Sequence, residues 1–175
     1  MPKLRKMLTD PSAPYIQSLM RLIETQSKET IANWCVGYAQ EHLLPLWARS
    51  FPDDCRPAEA LIAAQEYLAG QIKLPDVKKK IAQCRNAARE SEGSHIAQGA
   101  ARTIDAAASS VHNPAGSISL AFYGALTIAY GKLGTDAPWE ALESLAAEEC
   151  AKMEAALKAV AVENEPNPAK IKWGC

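Results

Sequence analysis

The chain lacks nearly every signature that would announce a reaction. It contains no G-x-S-x-G elbow, no G-x-x-x-x-G-K-[ST] loop and no G-x-G-x-x-G turn, so the familiar acyl-transfer and phosphate-cradling motifs fail. Histidine is scarce: His42, His95 and His112 are the three in the sequence, with no H-x-x-x-H and no closely spaced Cys/His pair. A metal site would need them to converge with carboxylates or thiolates, so no metal and no cofactor are expected. The five cysteines, Cys35, Cys55, Cys84, Cys150 and Cys175, are odd in number and never form C-x-x-C, unlike a disulfide framework or a zinc site. They read as reduced thiols of a cytoplasmic protein, with Cys35 and Cys150 at apolar helical positions suited to a core.

Long apolar runs and one-sided charge are missing too. The longest uncharged apolar stretch, "ISLAFYGALTIAY", falls short of the roughly 20 residues that cross a bilayer. "TDPSAPY" follows "MPKLRKML" where a secretory apolar segment would lie, so no signal peptide is expected. Nineteen basic against twenty acidic residues give a net charge of −1, which argues against a broad phosphate-neutralising face and direct nucleic-acid binding. With 175 residues the chain fits one domain, large enough to bury about 68–70% of its unfolded surface without a staple.

What is present is helix grammar. Pro14, Pro45, Pro57, Pro75, Pro114 and Pro138 each stand just ahead of a helical pattern, where the missing N–H costs nothing. Gly70, Gly93 and Gly134 fall where such patterns end, at positions suited to a left-handed residue. The spacing predicts helices over 14–25, 28–43, 45–50, 57–71, 75–91, 95–111, 114–133 and 138–163, and leaves no strand. The 32 alanines favour helix, and Ser117, Ala121, Ala125 and Ala129 form a small-residue ridge that lets a neighbouring axis approach closely. The expectation is a single all-α domain over 1–175 of about seven or eight close-packed antiparallel helices, preferred over a solenoid-like stack because no fixed repeat survives. The tail 164–175, with Pro166 and Pro168, cannot continue a helix, and Trp173 is expected to dock it on the core.

Two groups of polar residues stand out. From Gly93 through Gly131 the only formal charges are Arg102 and Asp105, which at i,i+3 can pair on one helix face between His95 and His112. The simplest account is a buried structural pair with two histidines at the helix ends; the alternative is a polar site made by the four. Charge is also unevenly distributed. Residues 136–165 carry eight acidic against two basic side chains, and residues 66–90 carry six basic against three acidic. On the last helix, Trp139, Leu142, Ala146, Cys150, Met153, Leu157 and Val160 make an apolar stripe. Glu140, Glu143 and Glu154 lie to one side of it, with Glu148 outermost. Glu148 with Lys152 and Glu154 with Lys158 have the favourable i,i+4 order.

The stretches "PYIQSLMRLIETQSKETIANWC", "DDCRPAEALIAAQEYLAGQI" and "AVENEPNPAKIKWGC" resemble the bacterial immunity-protein-five-like family along nearly the whole chain. Its signature falls on Asp54, Arg56 and the ending Tyr67, Leu68, Gly70. Asp54 also reads as a helix-start residue ahead of Pro57. The resemblance implies an all-α, non-catalytic protein whose partner is a cognate toxin, and it carries no set of functional residues. By analogy with toxins that act on nucleic acids, Glu140, Glu143, Glu148 and Glu154 become the candidate partner-binding residues. A helical adaptor domain is the rival reading, and an enzyme built on His95, Arg102, Asp105 and His112 is a more distant one.

Overall fold

A computed structural model describes residues 3–174. The chain is all helical, with 69% of residues in helices, and forms one compact domain. The elements are α1 (Pro14–Ile23), α2 (Lys28–His42), α3 (Leu44–Ser50), α4 (Arg56–Leu68), α5 (Leu74–Glu90), α6 (His95–Ser109), α7 (Leu126–Leu133) and α8 (Trp139–Val160). A 3-10 turn (Pro114–Ile118) and a π segment (Leu120–Ala125) lie between α6 and α7. Prolines occupy the first turns of α1, α3, α4 and α5, as the punctuation demands. Gly70 and Gly134 adopt φ of 75° and 87° at the ends of α4 and α7, a conformation that an L side chain would strain. Gly93 does not; the turn after α5 closes through a Ser94 N–H to Ser91 carbonyl bond of 2.9 Å instead.

α6 packs against α2, α3, α4, α5 and α7, while α8 packs against α1, α2 and α7. The π segment and α2 touch both, so they join an α4–α5–α6 half to an α1–α7–α8 half. The close approach rests on small side chains. Ala100, Ala101, Ala107 and Ala108 of α6 and Ala121, Ala125 and Ala129 opposite are essentially inaccessible. Two reciprocal contacts fix this seam. Thr103 of α6 lies against Gly124, where an added Cβ would sit 3.0 Å from its methyl, and Thr127 of α7 fills the space a Cβ on Gly99 would need. Each threonine hydroxyl donates to its own helix four residues back, to Gly99 (2.8 Å) and to Tyr123 (2.7 Å), so no polar atom is stranded in the seam.

The sequence predicts one helix over 114–133, and here the structure differs. The backbone tightens to 3-10 geometry at Pro114–Ile118 and widens to π geometry at Leu120–Ala125 before regaining α-helix. Within the π segment the Phe122 carbonyl accepts the Leu8 N–H at 2.9 Å, which ties the N-terminal coil to the centre of the fold. The Arg5 carbonyl also accepts the Tyr130 hydroxyl at 3.0 Å, and the Arg5 guanidinium stacks 4.0 Å above the Trp139 ring.

The C-terminal segment runs back over the α1–α2 turn. Buried Gln26 accepts the Val162 N–H through its side chain (2.8 Å) and the Ala169 N–H through its carbonyl (2.7 Å), and the Trp173 indole donates to Glu24. No helix is long and apolar enough to cross a membrane among the described residues.

Candidate functional site

The apolar stripe places α8 on the core through Leu142, Ala146, Cys150, Met153 and Leu157, with Trp139 half-buried at its start. Val160 departs from the expected stripe; it is 54% exposed because the helix has run past the core. Glu140, Glu143 and Glu148 are exposed on the outer side. Glu154 is different. Its carboxylate accepts the Ser18 hydroxyl at 2.6 Å and lies 3.7 Å from Lys158, so it joins α8 to α1 instead of standing free.

Glu149 is the residue that charge counting misplaces. Grouped by sequence with the acidic surface, it is 2% exposed, inside the line of core positions. Lys132 of α7 and Lys152 one turn on both donate to its Oε1, the latter at 3.1 Å. Burial works to raise the Glu149 carboxyl, but the two lysine hydrogen bonds outweigh it and hold the group below the usual carboxylate range. This also corrects the expected Glu148–Lys152 pair, since Lys152 turns inward to the buried neighbour at i−3. The signal was available: Glu149 lies three residues after Ala146 and four before Met153, both in the stripe.

The four polar residues around α6 do not converge. His95 begins α6 and His112 lies in the turn beyond its end, with a helix roughly 21 Å long between them. The expected Arg102–Asp105 pair is not formed. Asp105 is instead gripped by Arg85 of α5, with Nε and Nη2 at 2.9 and 3.0 Å from its two oxygens, and receives the Ser109 hydroxyl at 3.3 Å. The physical reason is geometry: the antiparallel α5 brings a forked guanidinium square to the carboxylate, which outcompetes an intrahelical neighbour at i−3. Arg102 sits half-buried near His95. His95 meets the Arg5 carbonyl at 3.1 Å and the Tyr130 ring edge-on. Its titration is lowered first by burial and then by nearby Lys6 and Arg102, while that of His112 is lowered by burial and by Lys78.

Burial pushes the thiols of Cys35, Cys84 and Cys150 up to about 12, far from thiolate reactivity. Cys55 is exposed, and Cys175 lies outside the described residues. Among the described residues no three His, Cys, Asp or Glu side chains come together as a metal set. Asp54 precedes the α4 N-cap, which is Cys55, and accepts the Arg56 N–H at 3.1 Å. It also takes a two-pronged bond from the Arg56 side chain, which reaches on to Glu90 of α5 at 2.6 Å. The Arg56 hydrogen bonds hold both carboxyls below their usual range. Tyr67 and Gly70 close the same helix through a Gly70 N–H to Tyr67 carbonyl bond of 2.9 Å. The signature residues thus frame α4 at both ends.

A family model described as Imm-5 like putative immunity protein matches residues 21–156. It spans α2 through α7, the last three residues of α1 and most of α8, leaving outside it the N-terminal coil, the rest of α1 and the C-terminal segment. No curated protein and no solved structure matches the chain.

Proposed function

Because the chain belongs to the Imm-5 like putative immunity protein family, we propose that it binds a cognate bacterial toxin and neutralises it without catalysis. The family match carries this reading. The site geometry supports it, because the polar side chains are either scattered or committed to structural bonds, while the outer side of α8 offers carboxylates on a rigid support. Inhibition by occlusion requires only a rigid complementary surface, and most pre-organised partners move little on binding.

The contact surface in this proposal is the outer side of α8, where Glu140, Glu143 and Glu148 stay exposed and free for a basic partner. Glu154 belongs to its edge, since Ser18 and Lys158 already engage it. A row of carboxylates on a stiff helix can stand in for nucleic-acid phosphates and steer a basic active site into place. The reading places the protein in the cytoplasm, where the buried thiols of Cys35, Cys84 and Cys150 remain reduced.

Co-expression with candidate toxin domains taken from the genes that neighbour this one tests the proposal. The expected result is restored growth together with a one-to-one complex on gel filtration. Continued toxicity with no complex would overturn the immunity reading and favour a helical adaptor.

A further inference from the structure

A small concavity opens between the α2–α3 turn, α7 and α8, with a volume of about 270 Å³. That is below the roughly 300–1,000 Å³ of pockets for drug-sized ligands and suits a single side chain. Three cations line it, Arg49, Lys132 and Lys152, together with the Glu149 carboxylate that both lysines engage. The two lysines share one Glu149 oxygen, so each keeps donors for another acceptor, and together with Glu149 they retain one positive charge. Arg49 adds a second, and it has no carboxylate partner among the described residues. Glu41 at the rim is 77% exposed on its side chain and is screened by solvent. Gly131 forms one wall as bare backbone: a Cβ there would sit 3.0 Å from Leu46 Cδ2 and 3.9 Å from Arg49 Nη1, so the guanidinium lies across the glycine at the mouth.

We propose that this socket receives a carboxylate side chain, Asp or Glu, from the protein partner. The proposal rests on the immunity reading for the existence of that partner. A guanidinium fork and two ammonium groups lining one small concavity match a planar carboxylate, and the Glu149 pairing holds both lysines at the socket before the partner arrives. The socket lies on the same helix as Glu140, Glu143 and Glu148 but has the opposite sign. Two adjacent patches of opposite charge fix the register of a partner more sharply than either alone.

Amide-resolved NMR on the full chain, titrated separately with acetate and with inorganic phosphate, tests the socket directly. Acetate should produce saturable shifts at Arg49, Gly131 and Lys132. Arg49→Gln, which leaves the Glu149 pair in place, should weaken them about tenfold, as loss of a hydrogen bond to a charged group does. Lys79→Gln, on the exposed side of α5, should change nothing. No saturation at Gly131, or equal weakening by Lys79→Gln, would overturn the proposal, and saturation by phosphate but not acetate would reassign the socket to a phosphate ligand. With the toxin domain as probe, Arg49→Gln should speed dissociation about tenfold, and an unchanged rate would remove the socket from the interface. The acetate arm contains no toxin, so its failure removes the socket alone. An intact acetate response without growth rescue overturns the partner assignment instead.

Discussion

α6 and α8 are both pressed into the core, yet they are held by different physics. The core side of α6 carries Ala97, Ala100, Ala101, Thr103, Ile104, Ala107 and Ala108, and its one acid, Asp105, is directed outward to Arg85. Close packing of small side chains secures it, with the buried Gln98 amide donating to the Ala88 carbonyl of α5 at 2.8 Å. α8 buries a comparable row but sets Glu149 within it, held by two lysines that are themselves about half exposed. The contrast shows that uncharged sequence marks a packing helix, whereas an acid-rich helix can divide its charges between core and surface. The exposed part of α8, led by Glu140, Glu143 and Glu148, is the part that the proposed function offers to a partner.

The largest expected effect comes from breaking the α8 arrangement. Replacing Lys132 and Lys152 together by Met leaves Glu149 buried and unpaired, and should cost about 3–5 kcal/mol at neutral pH in urea unfolding. A loss below about 1 kcal/mol would mean that Glu149 turns to solvent. The pH dependence has a definite sign. In the native chain the Glu149 carboxyl is held below its unfolded value, so its stabilisation is present above about pH 4.3 and is lost as pH falls through the lower folded value. In the double variant burial acts unopposed and raises the carboxyl, so protonation relieves strain. The gap in stability between the two proteins should therefore narrow on acidification.

The packing of α6 should break by overfilling. Ala125→Leu puts three more carbons into a site with no accessible surface and should cost about 1–3 kcal/mol, read as a lower midpoint in urea. An unchanged midpoint would contradict the close packing of the two halves. The smallest stability effect belongs to α6's outward charge. Asp105→Ala removes a pair whose arginine is half exposed and should cost about 1 kcal/mol or less, with Arg102→Ala failing to reproduce it. A cost several times larger, shared by Arg102→Ala, would restore the intrahelical pair that the structure replaces with Arg85.

Most of the architecture was legible because its determinants are local. Proline at first turns and the three-and-four spacing of apolar residues fix where helices start and which side is buried, as in α5 and α8. The departure from α-helix at Pro114–Ile118 and Leu120–Ala125 was not legible from spacing, and the bond that the Phe122 carbonyl accepts there comes from Leu8, more than a hundred residues away. The same holds for the side-chain pairs. Asp105 chooses Arg85 over Arg102 for reasons that exist only once α5 and α6 lie side by side. Glu149 was half legible: its register pointed inward, but the compensating lysine on α7 cannot be found by spacing within α8. Of the four candidate acids on α8, sequence reasoning picked three that remain exposed and one, Glu154, that α1 claims.

The central claim is that the outer carboxylates of α8 meet a basic toxin. Association kinetics of the full chain with the toxin domain that co-expression identifies, compared with a Glu140→Lys, Glu143→Lys, Glu148→Lys variant, test it most directly. The account predicts that the variant folds with an unchanged melting midpoint, associates at least about tenfold more slowly at low salt, and loses the steep salt dependence of the native chain. Equal association rates for the two proteins at low salt would contradict it.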